Sequence, residues 1–208
     1  MSTPLQLLVG LGNPGARYED TRHNVGFRLI DRLARQCSGE LRAVSRFQGE
    51  MAEVSIAGQR VRLLKPTTYM NHSGRAVSAV ARFYRIEPAA IAVAFDDIDL
   101  PPGTVRLRVG GGDGGHRGLR DIIPALGNPG FLRIRLGVGH PGDRAAVVDY
   151  VLHRAGAAEQ AAIDDGIERV LAEIRTIVRG ESAAAMNALN RKAPRAATEP
   201  TADGGARD

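Results

Sequence analysis

The sequence predicts a single α/β domain of three layers, with a mixed central sheet flanked by helices. Three observations carry that expectation. Short apolar runs alternate with helical patterns along the chain. One pair of runs is joined by a two-residue turn, which adds antiparallel strands to a βα order. The length, 208 residues, suits one domain with a substantial core. Residues 1–190 carry the patterning. Residues 191–208 combine Pro, Gly, Ala and mixed charge without apolar periodicity, and are predicted to form a disordered C-terminal tail.

The elements follow in order. Residues 5–11 read as a buried strand. Val25, Leu29, Ile30, Leu33 and Ala34 recur at helical spacing and predict a helix over 24–35. Residues 50–56 and 59–64 form a hairpin about Ala57-Gly58. Asn71 can cap a helix through Tyr84, with Ala76, Val77, Val80, Ala81 and Tyr84 on one face. Residues 91–95 are a short apolar strand. Residues 105–109 are another, with Arg106 and Arg108 on one face because strand side chains alternate. Three glycines then lead to a helix over 116–126. Residues 131–138 are a strand with Arg133 and Arg135 on one face. A long amphipathic helix over 157–178 and a short one over 181–189 complete the domain, and no internal repeat is present.

Composition excludes several classes. Charged residues make up 25% and hydrophobic ones 43%, which places the chain among soluble globules. Aromatics are 4%, with no tryptophan, which argues against base stacking on aromatic platforms. The lone cysteine, Cys37, rules out an internal disulfide and a cysteine-rich zinc site. No apolar run reaches the roughly 18 residues of a membrane span, and the N-terminus lacks a secretory pattern. A cytoplasmic location is the expectation. The net charge is +5, and only Lys65 and Lys192 are lysines. Between residues 101 and 135 six arginines (106, 108, 117, 120, 133, 135) face two acids, Asp113 and Asp121. Such a cluster can bind phosphates through forked, charge-assisted hydrogen bonds. A solvated surface explains it equally well.

Gly10, Gly12 and Gly15 match the dinucleotide pattern G-x-G-x-x-G after a strand. Two features argue against that reading. Residues 16–20 have no apolar face to open a helix, and the nearest candidate acid, Asp31, sits inside a helical pattern. A turn needing positive φ explains the glycines better.

Four polar residues fall at strand ends or in loops, where α/β proteins assemble sites: Asn13, His23, Asn71 and Asp96. Each alone has a plain explanation as a turn residue, helix-entry residue, cap or solvated acid. Together they predict a hydrolase. A histidine can deprotonate water, a carboxylate can orient it, and neutral amides can bind a carbonyl or steady an oxyanion. No serine stands in a nucleophile-elbow context, so water is the expected nucleophile. No spaced His/Glu motif supports a metal site.

Six blocks then carry a resemblance. They are residues 9–15 (VGLGNPG), 21–24 (TRHN), 65–71 (KPTTYMN), 96–103 (DDIDLPPG), 110–118 (GGGDGGHRG) and 137–141 (GVGHP). In this order, over residues 5 to 190, the chain resembles the bacterial peptidyl-tRNA hydrolases. The resemblance implies hydrolysis of the ester joining a peptide to the 3′ ribose of tRNA, by a monomer without metal or cofactor. It implies His23 as general base, oriented by Asp96. It implies Asn13 and Asn71 as substrate-binding residues, with Tyr18 and Met70 lining the cleft. Arg106, Arg108, Arg133 and Arg135 would meet acceptor-stem phosphates. The implied partner is peptidyl-tRNA, not DNA or a membrane. Two positions depart from the family pattern. Arg117 stands where the family usually has asparagine, so an acceptor is lost there and a contact with a phosphate or substrate carbonyl becomes the expectation. Phe95 stands where many relatives have histidine, which leaves His23 as the main titratable candidate. Two other readings predict different behaviour: a non-catalytic RNA-binding relative would bind without cleavage, and an oxidoreductase would bind nicotinamide.

Overall fold

A computed structural model describes residues 3–191. The predicted tail beyond Arg191 lies outside the described residues. Seven strands form one sheet: β1 (Leu7–Gly10), β2 (Arg42–Val44), β3 (Gly49–Ile56), β4 (Gln59–Pro66), β5 (Ile91–Asp97), β6 (Val105–Val109) and β7 (Leu132–Gly137). Their spatial order is β2-β3-β4-β1-β5-β7-β6. The central four, β4, β1, β5 and β7, are parallel. β2 and β3 extend one side and β6 the other in antiparallel pairing.

Helices cover both faces, as three layers require. Leu8, Ala92, Ala94, Leu132 and Ile134 pack beneath α1 (Val25–Gln36), α5 (Ala157–Ala172) and α6 (Ile174–Val178). Leu7, Val9, Ile91 and Val93 pack on the opposite side, beneath α2 (Ser73–Tyr84) and α3 (Arg117–Leu126). Neighbouring residues thus serve opposite cores, which is why β1 and β5 read as continuous apolar runs. The β3–β4 hairpin turns on Ala57 (φ 51°) and Gly58 (φ 77°), the two positive values a tight hairpin needs.

Four elements differ from the sequence reading. β2 has only three, mostly exposed residues and no alternation to betray it. α4 (Val147–Val151) is a single turn too short to predict. The long C-terminal helix breaks at Glu173 into α5 and α6, before α7 (Ser182–Leu189). Asn71 does not cap α2. That position belongs to His72, while Asp121 Oδ2 accepts the Gly74 amide of the first turn at 2.7 Å.

The glycine pattern is explained by close packing. A Cβ on Gly10 would lie 2.2 Å from the carbonyl oxygen of Gly26, and one on Gly26 would lie 2.4 Å from Leu11 N. Only Gly15 of the three motif glycines has positive φ, at 104°. The missing side chains let α1 press against the end of β1. That contact sets the loop between them, which carries Asn13 and His23. Among the described residues, no helix is long and apolar enough to cross a membrane.

Candidate active site

β1 and β5 lie side by side in parallel, so their C-terminal ends deliver adjacent loops. Asp96 is buried at the end of β5, inside the strand rather than in the loop beyond it. Its Oδ1 receives His23 Nδ1 at 2.8 Å and His116 Nε2 at 3.0 Å. The side chains are nearly closed to solvent, at 2% for Asp96, 11% for His23 and 8% for His116.

Hydrogen bonding fixes the tautomers. His116 caps α3: its Nδ1 accepts from the amides of Gly118 and Leu119 at 3.2 and 3.4 Å. The His116 proton therefore sits on Nε2 and is donated to Asp96. His23 donates its Nδ1 proton to the same oxygen, which leaves His23 Nε2 an acceptor with no partner among the described residues. Burial alone would push the Asp96 carboxyl up. The imidazoles of His23 and His116, through charge and hydrogen bonds, outweigh it and hold the carboxyl well below the usual carboxylate range. One donor atom from each of these three residues lies within 4.8 Å of the others, a set able to ligate a cation.

Asn13 sits beside this pair. Its Oδ1 accepts the Met70 amide at 2.9 Å, so its Nδ2 donors are left for a ligand. Its backbone is gripped by Asn24, which accepts from Asn13 N at 2.8 Å and donates to Asn13 O at 2.9 Å.

These residues open into a cleft of about 910 Å³. Asn13, His23, Met70, Asn71, Asp96, His116 and Arg117 all line it. Its far wall is apolar, from Val147, Val148, Val151 and Leu152. Arg22 secures that wall. Its Nη1 donates to the carbonyls of Tyr150, His153 and Arg154, its Nη2 meets Glu159 at 2.7 Å, and its guanidinium lies 3.9 Å over the Tyr150 ring. Among the described residues, no serine, threonine or cysteine lines the cleft.

The four strand arginines do share one face. β6 and β7 place Arg106 opposite Arg135 and Arg108 opposite Arg133. Like charges in direct cross-strand pairs destabilise a sheet, so this arrangement needs compensation. Arg135 Nε donates to Asp97 Oδ2 at 2.5 Å. Arg133 is buried and donates to the carbonyls of Gly111 and Gly112, shaping the glycine loop. Burial, with Arg108 and Arg135 nearby, pulls the Arg133 guanidinium below its ordinary value. Arg108 lines the cleft beside Arg133 and Arg135, while Arg106 does not. Tyr18 also departs from expectation. It stands outside the cleft lining, on a short 3₁₀ turn with the Arg17 guanidinium over its ring at 4.5 Å.

Sequence reasoning missed His116 and Asn24 as parts of the site. His116 fills the place beside Asp96, so His23 is not the only imidazole there, and Phe95 packs on it at 4.9 Å. The available signal was the position of His116, at the start of a predicted helix.

Fold and site together define a class, the α/β proteins with a histidine–carboxylate pair at the C-terminal edge of a largely parallel sheet. Comparison with known proteins narrows it. The family model for peptidyl-tRNA hydrolase matches residues 7–197, and the chain belongs to that family. The peptidyl-tRNA hydrolase of Halorhodospira halophila is 53% identical over 85% of this chain and 91% of its own length. That of Saccharophagus degradans is 49% identical over 92% of this chain and 100% of its own. A crystal structure of peptidyl-tRNA hydrolase from Acinetobacter baumannii superposes with a TM-score of 0.89 at 44% identity, over 91% of this chain and 96% of that one.

Proposed function

We propose that this protein hydrolyses the ester between peptide and tRNA in peptidyl-tRNA, releasing tRNA for reuse in translation, with water activated by His23. The observation that carries this reading is the 2.8 Å bond from His23 Nδ1 to Asp96 in a cleft whose described lining offers no side-chain hydroxyl of serine or threonine and no thiol. His23 Nε2 takes a proton from water as the water oxygen adds to the ester carbonyl. Asn13 Nδ2 donates to the oxygen that becomes negative. Collapse of the tetrahedral species breaks the bond to the ribose oxygen, which takes the proton back from the imidazolium. Asp96 orients the ring and stabilises its charged form.

Asn71, Met70 and Arg117 contact the peptide end of the substrate. Arg106, Arg108, Arg133 and Arg135 form the side that faces tRNA phosphates; Arg108, Arg133 and Arg135 line the cleft, and of these Arg108 makes no ion pair among the described residues. In this reading the protein is a tRNA-binding, cytoplasmic monomer that rescues tRNA from stalled translation.

The test is incubation with an N-blocked aminoacyl-tRNA and, in parallel, the free aminoacyl-tRNA. Rapid release from the blocked substrate alone supports the reading. Tight binding without release would make the protein an RNA-binding relative instead.

A further inference from the structure

Next to the main cleft lies a smaller groove of about 340 Å³, lined by Asn71, Arg117, Arg120 and Asp121. Asn71 and Arg117 line both cavities and so form the wall between them. The groove carries more positive charge than its own acids neutralise. Arg117 is exposed, and its guanidinium makes no hydrogen bond or ion pair among the described residues. Among the described residues Arg120 meets only Asp113, at 3.4 Å, in a solvent-exposed pair of little strength. The acid in the wall, Asp121, is already engaged by the Gly74 amide. Two guanidiniums thus share the groove with one carboxylate, whose charge the Gly74 amide does not cancel, and the lining keeps one net positive charge. A guanidinium fork matches a carboxylate in two-point geometry.

Strand order indicates which part of the substrate arrives there. Along the sheet, β4 leads to Asn71, β1 to Asn13 and His23, β5 to Asp96, and β7 and β6 carry Arg135, Arg133 and Arg108. The histidine–carboxylate pair is central. With RNA on the arginine strands, the peptide runs the other way, past Asn71 and toward the groove.

We propose that this groove binds an acidic side chain of the peptide, on the residue preceding the esterified one, and makes the protein favour such peptidyl-tRNAs. The inference rests on the hydrolase reading above. It assigns Arg117 and Arg120 a role in substrate choice, separate from the chemistry at His23.

The experiment compares N-acetyl-Glu-Phe-tRNA with N-acetyl-Gln-Phe-tRNA on one tRNA, using wild type, Arg117→Gln and Arg120→Gln. Both arginines are exposed, so the variants should fold, and circular dichroism checks this. The expected wild-type kcat/KM is about three- to tenfold higher for the Glu substrate at low salt, and the preference shrinks as salt rises. The ratio should fall to about one in Arg117→Gln and decrease in Arg120→Gln. Equal wild-type values for the two substrates would overturn the proposal, as would an unchanged ratio in both variants. An equal loss on both substrates in Arg117→Gln, with a flatter salt dependence, would assign the groove to an RNA phosphate and overturn it too. Absence of release from either substrate by wild type would be a different failure, that of the hydrolase reading itself.

Discussion

Asn24 holds Asn13 from both sides of its backbone, accepting from its amide at 2.8 Å and donating to its carbonyl at 2.9 Å. Asn24 is also the residue before α1, where such a side chain commonly caps the helix. It makes no cap here, because both ends of its amide serve Asn13. The consequence is a fixed Asn13, whose own Oδ1 is tied to Met70 and whose Nδ2 is left for the substrate.

Replacing Asn24 should therefore act through Asn13. Asn24→Ala leaves two buried backbone groups unpaired, at a cost of about 1–3 kcal/mol each. We expect a lower melting temperature and a kcat that falls at least tenfold, with KM changing less. Asn24→Asp keeps the acceptor for Asn13 N and should fall between. If Asn24→Ala lost stability alone, with kcat unchanged, Asn24 would be no more than a fold residue.

The Asp96 carboxyl makes a signed prediction for pH. Its folded pKa is depressed by its two histidine partners, so the folded state favours the carboxylate. That contribution is present above the unfolded value of about 3.9 and is lost as pH falls below it toward the depressed folded value. Asp96→Asn keeps an acceptor for both imidazoles but cannot titrate. Wild type should lose melting temperature more steeply than Asp96→Asn below about pH 4. Parallel curves would show that the carboxylate is not specially favoured on folding.

The arginine face separates into members with different effects. Arg108 makes no ion pair among the described residues and opens to the cleft. Arg108→Gln should weaken tRNA binding and reduce the slope of log K against log salt by about 0.7–0.9. Arg133 holds the carbonyls of Gly111 and Gly112, so Arg133→Gln should lower stability as well. Filter binding across a salt series and thermal melts distinguish the two. Identical behaviour of both variants would remove the distinction.

Packing accounts for the glycines of residues 10–15, and this is testable without substrate. Gly10→Ala would put a methyl group 2.2 Å from the Gly26 carbonyl oxygen. Such overpacking against backbone should cost about 2–3 kcal/mol in urea denaturation. A cost below about 0.5 kcal/mol would mean that α1 can move away and that the glycine is not required there.

Much of the fold was legible because the strands of the parallel core are buried on both faces and carry unbroken apolar runs. The β3–β4 hairpin was legible from its two-residue turn. β2 and α4 were not, since three mostly exposed residues and one helical turn carry no period. α4 depends instead on Arg22, more than a hundred residues away in the chain. Asn13 and Asp96 could be chosen because each falls beside a recognisable strand, and His23 because it lies in the loop just before a recognisable helix. His116 could not be placed, because its bond to Asp96 joins residues 20 apart across the β6 strand and the glycine loop. Tyr18 was expected in the cleft from resemblance alone, and it stands on a short 3₁₀ turn outside the cleft lining.

The most direct measurement of the central claim is single-turnover release from an N-blocked aminoacyl-tRNA by wild type and His23→Ala, with tRNA binding measured alongside. General-base catalysis by His23 predicts a loss of about 10²–10⁴-fold in rate with binding retained. Near-normal turnover in His23→Ala would contradict the account and move the search for the base to His116.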